Sequence, residues 1–283
     1  MSREGGDGSL YQLSIFGRGY LGSLFAAELT GGQSSALEEK PDSDSCRSQN
    51  QNSLRKTALI ASGPSSVSAS SEELGTWRAR IRRWCEAHRT TFQHVVYFSS
   101  AGTVYGEMRD APHTEEAPLR PVNDYGSYHI WVESILEESF PEGLTILRLA
   151  NIYGPHQRMK NGQGFVTAAV RAIEESRELT IFGDGSIIRD YIHESDVLSL
   201  VQNVLKRPTP GIFNVATGFG TTQRAVVAMV EEAFEGSLAI SFVPSRATDL
   251  KVSALSIAKA QQEYNWSPRI NLLTGIDTYK ASR

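Results

Sequence analysis

Strand-like and helix-like hydrophobic patterns alternate along most of this chain. The stretch "YQLSIFGRGYLGSLFAAELTGG" reads as a short apolar strand, a glycine turn and a helix that stops at Gly31-Gly32. The run "TALIAS" at 57–62, a helical stretch at 72–89 and the run "HVVYFSS" at 94–100 repeat the theme, as in a parallel α/β sheet. Two further strands are expected in "LTILRLANIYG" (144–154) and "GIFNVATG" (211–218). Between them, "QGFVTAAVRAIEES" reads as a helix and "ELTIFGDGSIIRDYIH" as a strand, a turn and a loop. The tail adds helical stretches around 222–235 and 254–263. One segment breaks the rhythm: residues 31–56 are polar and nearly free of large apolar side chains, which predicts a loop or disordered excursion. The fold class is α/β, with a Rossmann-like parallel sheet.

Composition narrows the partners. A chain of 283 residues, 40% hydrophobic and 21% charged, can bury a full core, and a net charge of −4 gives no basic field for nucleic acid. A small soluble ligand is the expected partner. The two cysteines, Cys46 and Cys85, are too few for a disulfide framework and lack metal-ligand spacing, which points to a reducing, cytoplasmic setting. No apolar run reaches membrane-spanning length, and the start lacks the apolar core of a secretory signal.

Gly17, Gly19 and Gly22 form a G-x-G-x-x-G pattern between a strand and a helix. The first glycine permits a tight turn, the second lets a pyrophosphate approach the backbone, and the third lets helix and strand pack closely, while the helix N-terminus offers donors to phosphate. Alone, the pattern also suits a purely structural turn. It is followed by "VVYFSSAGTVYG", "DYGSYH", "LRLANIYGP", "IFGDGSIIRDYIHESDV", "FNVAT" and "SRATDLKVSALSIAKAQQEYNWSP". In this order the motifs resemble the extended short-chain dehydrogenase/reductases, and among them the NAD-dependent nucleotide-sugar epimerases and dehydratases of the UDP-galactose 4-epimerase type. The resemblance covers residues 11–30 and 57–283.

The resemblance implies roles residue by residue. Tyr125 matches the catalytic tyrosine, which takes a proton from a sugar hydroxyl as hydride leaves for the nicotinamide. A free phenol, with a pKa of about 10, needs help to act near neutrality. The family supplies a lysine four residues on, whose charge favours the phenolate and whose ammonium holds the nicotinamide ribose; here that position is His129. An imidazole with an ordinary pKa of about 6.5 keeps the hydrogen bond and loses most of the charge. His129 is thus either a working substitute or a residue tolerated after catalysis was lost. The family's catalytic serine or threonine falls on Ala101, leaving Ser100 and Thr103 as candidates, with local backbone bonding as their alternative role.

Cofactor contacts are implied for Gly17, Gly19, Tyr20, Leu21, Gly22, Ala61, Ser62, Ser99, Tyr125 and His129, and the cofactor is NAD or NADP. Between Gly17 and the strand at Leu59 there is too little chain for two strand-helix repeats, so the sheet is expected to lack one or two strands and the adenosine half of the site to be reduced. Glu38, Glu39 and Asp42 have no strand to present them. On the substrate side, Asn151, Arg189 and Arg246 match diphosphate ligands, for which the planar guanidinium is suited, and Gln163 and Phe165 fall near the nucleobase pocket. His88, His94, His113, His156 and His193 show no metal-ligand spacing, and no metal is expected.

The expected division places residues 1–155, with 190–218, in a shortened dinucleotide-binding domain, and 156–189 with 219–283 in a substrate-binding domain. The function implied is a nucleotide-sugar epimerase or dehydratase, with polysaccharide biosynthesis as its setting and a homodimer through helices including 125–139. The alternative is a catalytically silent relative that binds a nucleotide sugar as a sensor, scaffold or partner subunit.

Overall fold

The apolar runs become the central strands. A computed structural model of the chain describes residues 2–4, 10–30, 55–64, 66–107, 112–157, 164–245 and 250–281. An antiparallel pair, β1 (Ser2–Glu4) and β2 (Leu10–Phe16), leads through the glycine turn into α1 (Tyr20–Thr30). Then come β3 (Arg55–Ile60), α2 (Ser71–His88), β4 (His94–Ser100), the single turn α3 (Ala101–Val104), α4 (Asp124–Ser139) and β5 (Leu144–Leu149). The chain continues through β6 (Asn151–Tyr153), α5 (Phe165–Glu174), β7 (Leu179–Phe182) and β8 (Ile188–His193), then α6 (Glu194–Lys206) and β9 (Gly211–Val215). It closes with β10 (Gly220–Thr222), α7 (Gln223–Phe234), β11 (Ile240–Val243), β12 (Val252–Ser253), α8 (Ala258–Tyr264) and α9 (Leu272–Ala281).

The large sheet has the order β1-β2-β3-β4-β5-β9; β2, β3, β4, β5 and β9 run parallel to one another, and β1 is antiparallel to β2 at the edge. Successive side chains point to opposite faces. Leu13, Ile15, Leu59, Val96, Phe98 and Leu147 therefore pack on one side with Phe25 of α1 and Leu200 of α6. Phe16, Ala58, Ile60, Val95, Tyr97 and Ile146 pack on the other, against Trp84 of α2 and Val132 of α4. With both faces covered, β5 is buried throughout, which is why its sequence is an almost continuous apolar run.

Arg148 is the exception in that run, and it ties α4 to the sheet. Its guanidinium donates twice to Glu133 of α4, at 2.6 and 3.1 Å, and once to the Tyr105 hydroxyl at 2.9 Å. That hydroxyl in turn donates to Asn214 of β9 at 2.7 Å.

A second, smaller assembly centres on β8, which pairs in parallel with β6 and β12 and antiparallel with β10; β7 and β11 form a separate parallel pair. Val166, Val170, Ile181, Tyr191, Val226 and Ile276 form its core. The sequence predicts a loop where β8 runs. Asp190 masks the strand because a carboxylate breaks the apolar pattern, yet it is buried and satisfied by the Thr217 amide and hydroxyl and the Gly218 amide, at 2.7 to 2.9 Å.

Arg55 and Lys56, which the sequence assigns to the polar excursion after Gly31, belong instead to β3, in register with Tyr11 and Gln12. Residues 31–54, including Glu38, Glu39, Asp42 and Cys46, lie outside the described residues. Among the described residues, the outer neighbour of β2 is β1 from the start of the chain. Residues 151–153 and 190–193 pair in the smaller assembly, while Ala260 and Tyr264 of α8 pack into the core of the large sheet. No helix among the described residues is long and apolar enough to cross a membrane.

Candidate active site

The glycine turn is tight because only glycine fits it. Gly17 has a φ of 149°, and a Cβ there would lie 2.4 Å from the Ala61 carbonyl oxygen. A Cβ on Gly22 would lie 2.1 Å from the carbonyl oxygen of Gly17, so the helix could not approach the turn as it does. Gly19 faces open space, which leaves its backbone accessible beside the first amides of α1. The adjoining strand ends are pinned together. The Ala61 amide and the Ser62 hydroxyl both donate to the Phe16 carbonyl, at 2.8 and 2.9 Å.

Leu21 packs against the core, whereas Tyr20 reaches across to α6. Its hydroxyl donates to Glu194, a buried carboxylate that also hydrogen-bonds His156 Nδ1 at 2.6 Å. Burial, and then the charge of Glu194, push the Tyr20 phenol far above its ordinary pKa.

Asn123 caps α4 by accepting from the Gly126 amide at 2.8 Å, which sets Tyr125 in the first helical turn. One turn on, the His129 ring meets the Tyr125 ring edge-on, with centroids 4.6 Å apart. His129 is 6% exposed; its Nδ1 lies 2.7 Å from the Tyr97 hydroxyl, and its Nε2 is buried with no partner among the described residues. Burial lowers the His129 pKa to about 3 and raises that of Tyr125 to about 12. The imidazole is therefore neutral at ordinary pH, and Tyr125 has no cation in place of the family's lysine. Tyr97, the residue that holds His129, carried no signal in the sequence, because it lies inside an apolar strand run.

Above Tyr125 opens a cleft of about 560 Å³ that Ser100, Tyr125, Asn151, Phe165 and Arg189 all line. Each of these is singled out by the sequence, and the fold brings them together from β4, α4, β6, α5 and β8. Asn151 Nδ2 donates to the Asp190 carbonyl at 3.2 Å and Arg189 Nη1 to the Ile188 carbonyl at 2.9 Å. Thr103 is not in the lining; its hydroxyl donates to the Ser100 carbonyl at 3.2 Å, the local backbone role. Gln163 and Arg246 fall outside the described residues. Sequence reasoning misses Tyr191, Phe182 and Gln223 in the lining. Tyr191 was within reach: two residues after Arg189 on one strand, it must share that residue's face. Among the described residues there is no cluster of potential metal ligands.

The site fits a dinucleotide on its own geometry. The turn is a cradle that a Cβ would fill, and two buried polar atoms, His129 Nε2 on α4 and Ser99 Oγ on β4, have no protein partner among the described residues. The sequence profile of the NAD dependent epimerase/dehydratase family matches residues 58–216. The chain belongs to this family. Among curated members it is similar to a UDP-glucose 4-epimerase of Mycolicibacterium smegmatis, 32% identical over 200 residues that make up 69% of this chain and 64% of the relative. It is also similar to a dTDP-4-dehydro-6-deoxyglucose reductase of Escherichia coli, 30% identical over 65% of this chain and 60% of the relative. The matched stretch thus spans less than two thirds of either relative's length. Among solved structures, the fold matches the UDP-glucose 4-epimerase of Thermotoga maritima with UDP-glucose, with a TM-score of 0.81 at 23% identity over 95% of this chain and 98% of that one. It likewise matches the Thermus thermophilus UDP-glucose 4-epimerase complex with NAD, with a TM-score of 0.78 at 22% identity over 96% and 99% of the two chains.

Proposed function

We propose that this family member is a nucleotide-sugar epimerase or dehydratase that works with bound NAD or NADP. The observation that carries the reading is the convergence of Tyr125, Ser100, Asn151, Phe165 and Arg189 on one cleft. The glycine turn and the α1 N-terminus hold the cofactor pyrophosphate, Ala61 and Ser62 border it, and His129 and Ser99 offer their open polar atoms to the nicotinamide half. When bound, the cofactor supplies a reversible hydride acceptor. Tyr125 takes the proton of the sugar hydroxyl that is oxidised and returns it when the hydroxyl re-forms, with Ser100 orienting that hydroxyl. Asn151, Arg189 and Arg246 hold the diphosphate, and Gln163 and Phe165 the base.

The same proposal includes two lobes, residues 1–155 with most of 190–218 on the cofactor side and 156–189 with most of 219–283 on the substrate side. It also includes a cytoplasmic homodimer through helices including α4, acting in polysaccharide or glycosylated-metabolite synthesis. Where α4 meets α2, Trp131 is half-buried beneath Arg78 and Arg82 of α2, an amphipathic face suited to a second copy.

The test is to incubate purified protein with NAD and UDP-glucose or UDP-galactose and follow sugar interconversion by NMR. Turnover that is slow near neutrality is expected. Arg189→Ala should weaken nucleotide-sugar binding roughly tenfold or more, the loss of a charge-assisted bidentate contact. Tight binding without turnover at any pH would establish the silent-relative reading instead.

A further inference from the structure

The Tyr97 hydroxyl and the His129 imidazole form a polar pair inside the largely apolar layer between β4 and α4, where the rings of Tyr125 and Tyr128 meet His129 edge-on. Their neighbours there include Ile60, Ile146 and Val132, and Tyr97 is 1% exposed. Among the described residues, the hydrogen-bond partner of the Tyr97 hydroxyl is His129 Nδ1, at 2.7 Å. A neutral imidazole has one N–H donor and one acceptor nitrogen, and a phenol has one proton to give. If Nδ1 carried the proton, it would donate to the phenol oxygen, and both the phenol hydrogen and the Nε2 lone pair would be stranded. If Nε2 carries it, Tyr97 donates to Nδ1, both groups are satisfied, and only the Nε2–H remains open. Buried polar groups are rarely left unpaired, so the second arrangement prevails.

We propose that Tyr97 is a positioning residue that fixes His129 as the Nε2–H tautomer, making His129 a single, uncharged hydrogen-bond donor for a ribose hydroxyl of a nicotinamide nucleotide bound beside Tyr125. The ligand half rests on the proposed function; the tautomer half rests on geometry alone. An ammonium at this position would offer three donors in freely rotating directions, whereas an imidazole held at its far nitrogen offers one, in a fixed direction. Tyr97 thus carries the orienting task that a second anchoring contact performs for ligand-binding histidines in general.

The experiment is ¹⁵N NMR of the imidazole nitrogens in the full chain, with His129 assigned by comparison with His129→Gln. The expected spectrum shows Nε2 protonated and Nδ1 unprotonated at neutral pH, and Tyr97→Phe converts this to a mixture of tautomers. An Nδ1–H signal in the wild-type protein overturns the proposal, and this needs no variant to fold. Addition of NAD should shift the Nε2–H resonance; NAD that binds by calorimetry and leaves that resonance unmoved overturns the donor role. Failure of NAD to bind at all removes the proposed function and the donor role with it, while the free-protein spectrum still decides the tautomer. His129→Gln retains a neutral terminal donor and is expected to hold NAD within about threefold of the wild-type affinity, whereas His129→Leu should lose about tenfold.

Discussion

Replacing a lysine by a histidine beside Tyr125 changes what pH does to the site. With burial raising the phenol to about 12 and holding His129 neutral, the proton transfer proposed for Tyr125 would proceed without the charge that a lysine at position 129 would supply. Turnover should therefore climb steadily on the alkaline side. The opposing effect, loss of charge from His129, is complete well below neutrality because its pKa is about 3. His129→Lys should move the climb down by about one pH unit or more, a roughly tenfold gain near neutrality, read from pH profiles of both proteins. A variant that binds NAD and shows no change in profile would count against Tyr125 as the group that titrates. Tyr125, Ser100 and Asn151 were legible in the sequence because each sits in a motif whose spacing is tied to a strand end or a helix turn. Tyr97 was not, since a lone phenol in an apolar strand run looks like any other core residue until its hydroxyl finds a partner from a distant helix.

At the scale of elements, α4 is both the carrier of Tyr125 and the helix clamped by the Glu133–Arg148 pair. Both side chains are almost wholly buried, so removing one partner strands the charge of the other. Glu133→Ala is expected to cost about 3–5 kcal/mol in chemical denaturation, far more than the loss of a surface pair. Arg148→Met with Glu133→Leu, which removes both charges, should recover much of that loss. Long elements were readable from period: α2 and the parallel strands lie where the apolar runs put them, whereas α4 was expected only through the resemblance of its motif. The short strands β10, β11 and β12 were not, because two to four residues carry no periodicity. β8 was hidden by the buried Asp190, whose partners come from a loop far along the chain.

For the whole molecule, the buried neutral histidines set an acid limit. His94, bonded to Thr145 at 2.9 Å, is lowered to about 4 by burial, and His129 to about 3. Above about pH 6.5 folded and unfolded chains both hold these rings neutral, and neither contributes a pH dependence. Below it the unfolded chain takes up protons that the folded chain refuses, so stability falls as pH falls, by up to ~1.4 kcal/mol per pH unit for each ring until its folded pKa is reached. Urea midpoints should drop steeply between about pH 6 and 4, and His94→Gln should flatten that slope; a flat wild-type profile would refute it. A last consequence follows from the carboxylate of Glu194, which grips Tyr20 on the glycine turn with one oxygen and His156 beside the cleft with the other. If the glycine turn and the cleft bind cofactor and nucleotide sugar as proposed, two regions that share this tether cannot adjust independently. Occupancy of either should change the affinity of the other, and by the same factor in both directions, as linkage requires. Calorimetric titration of NAD with and without UDP, and of UDP with and without NAD, measures that factor twice. Tyr20→Phe, which cuts the tether and keeps the ring, should bring it to unity.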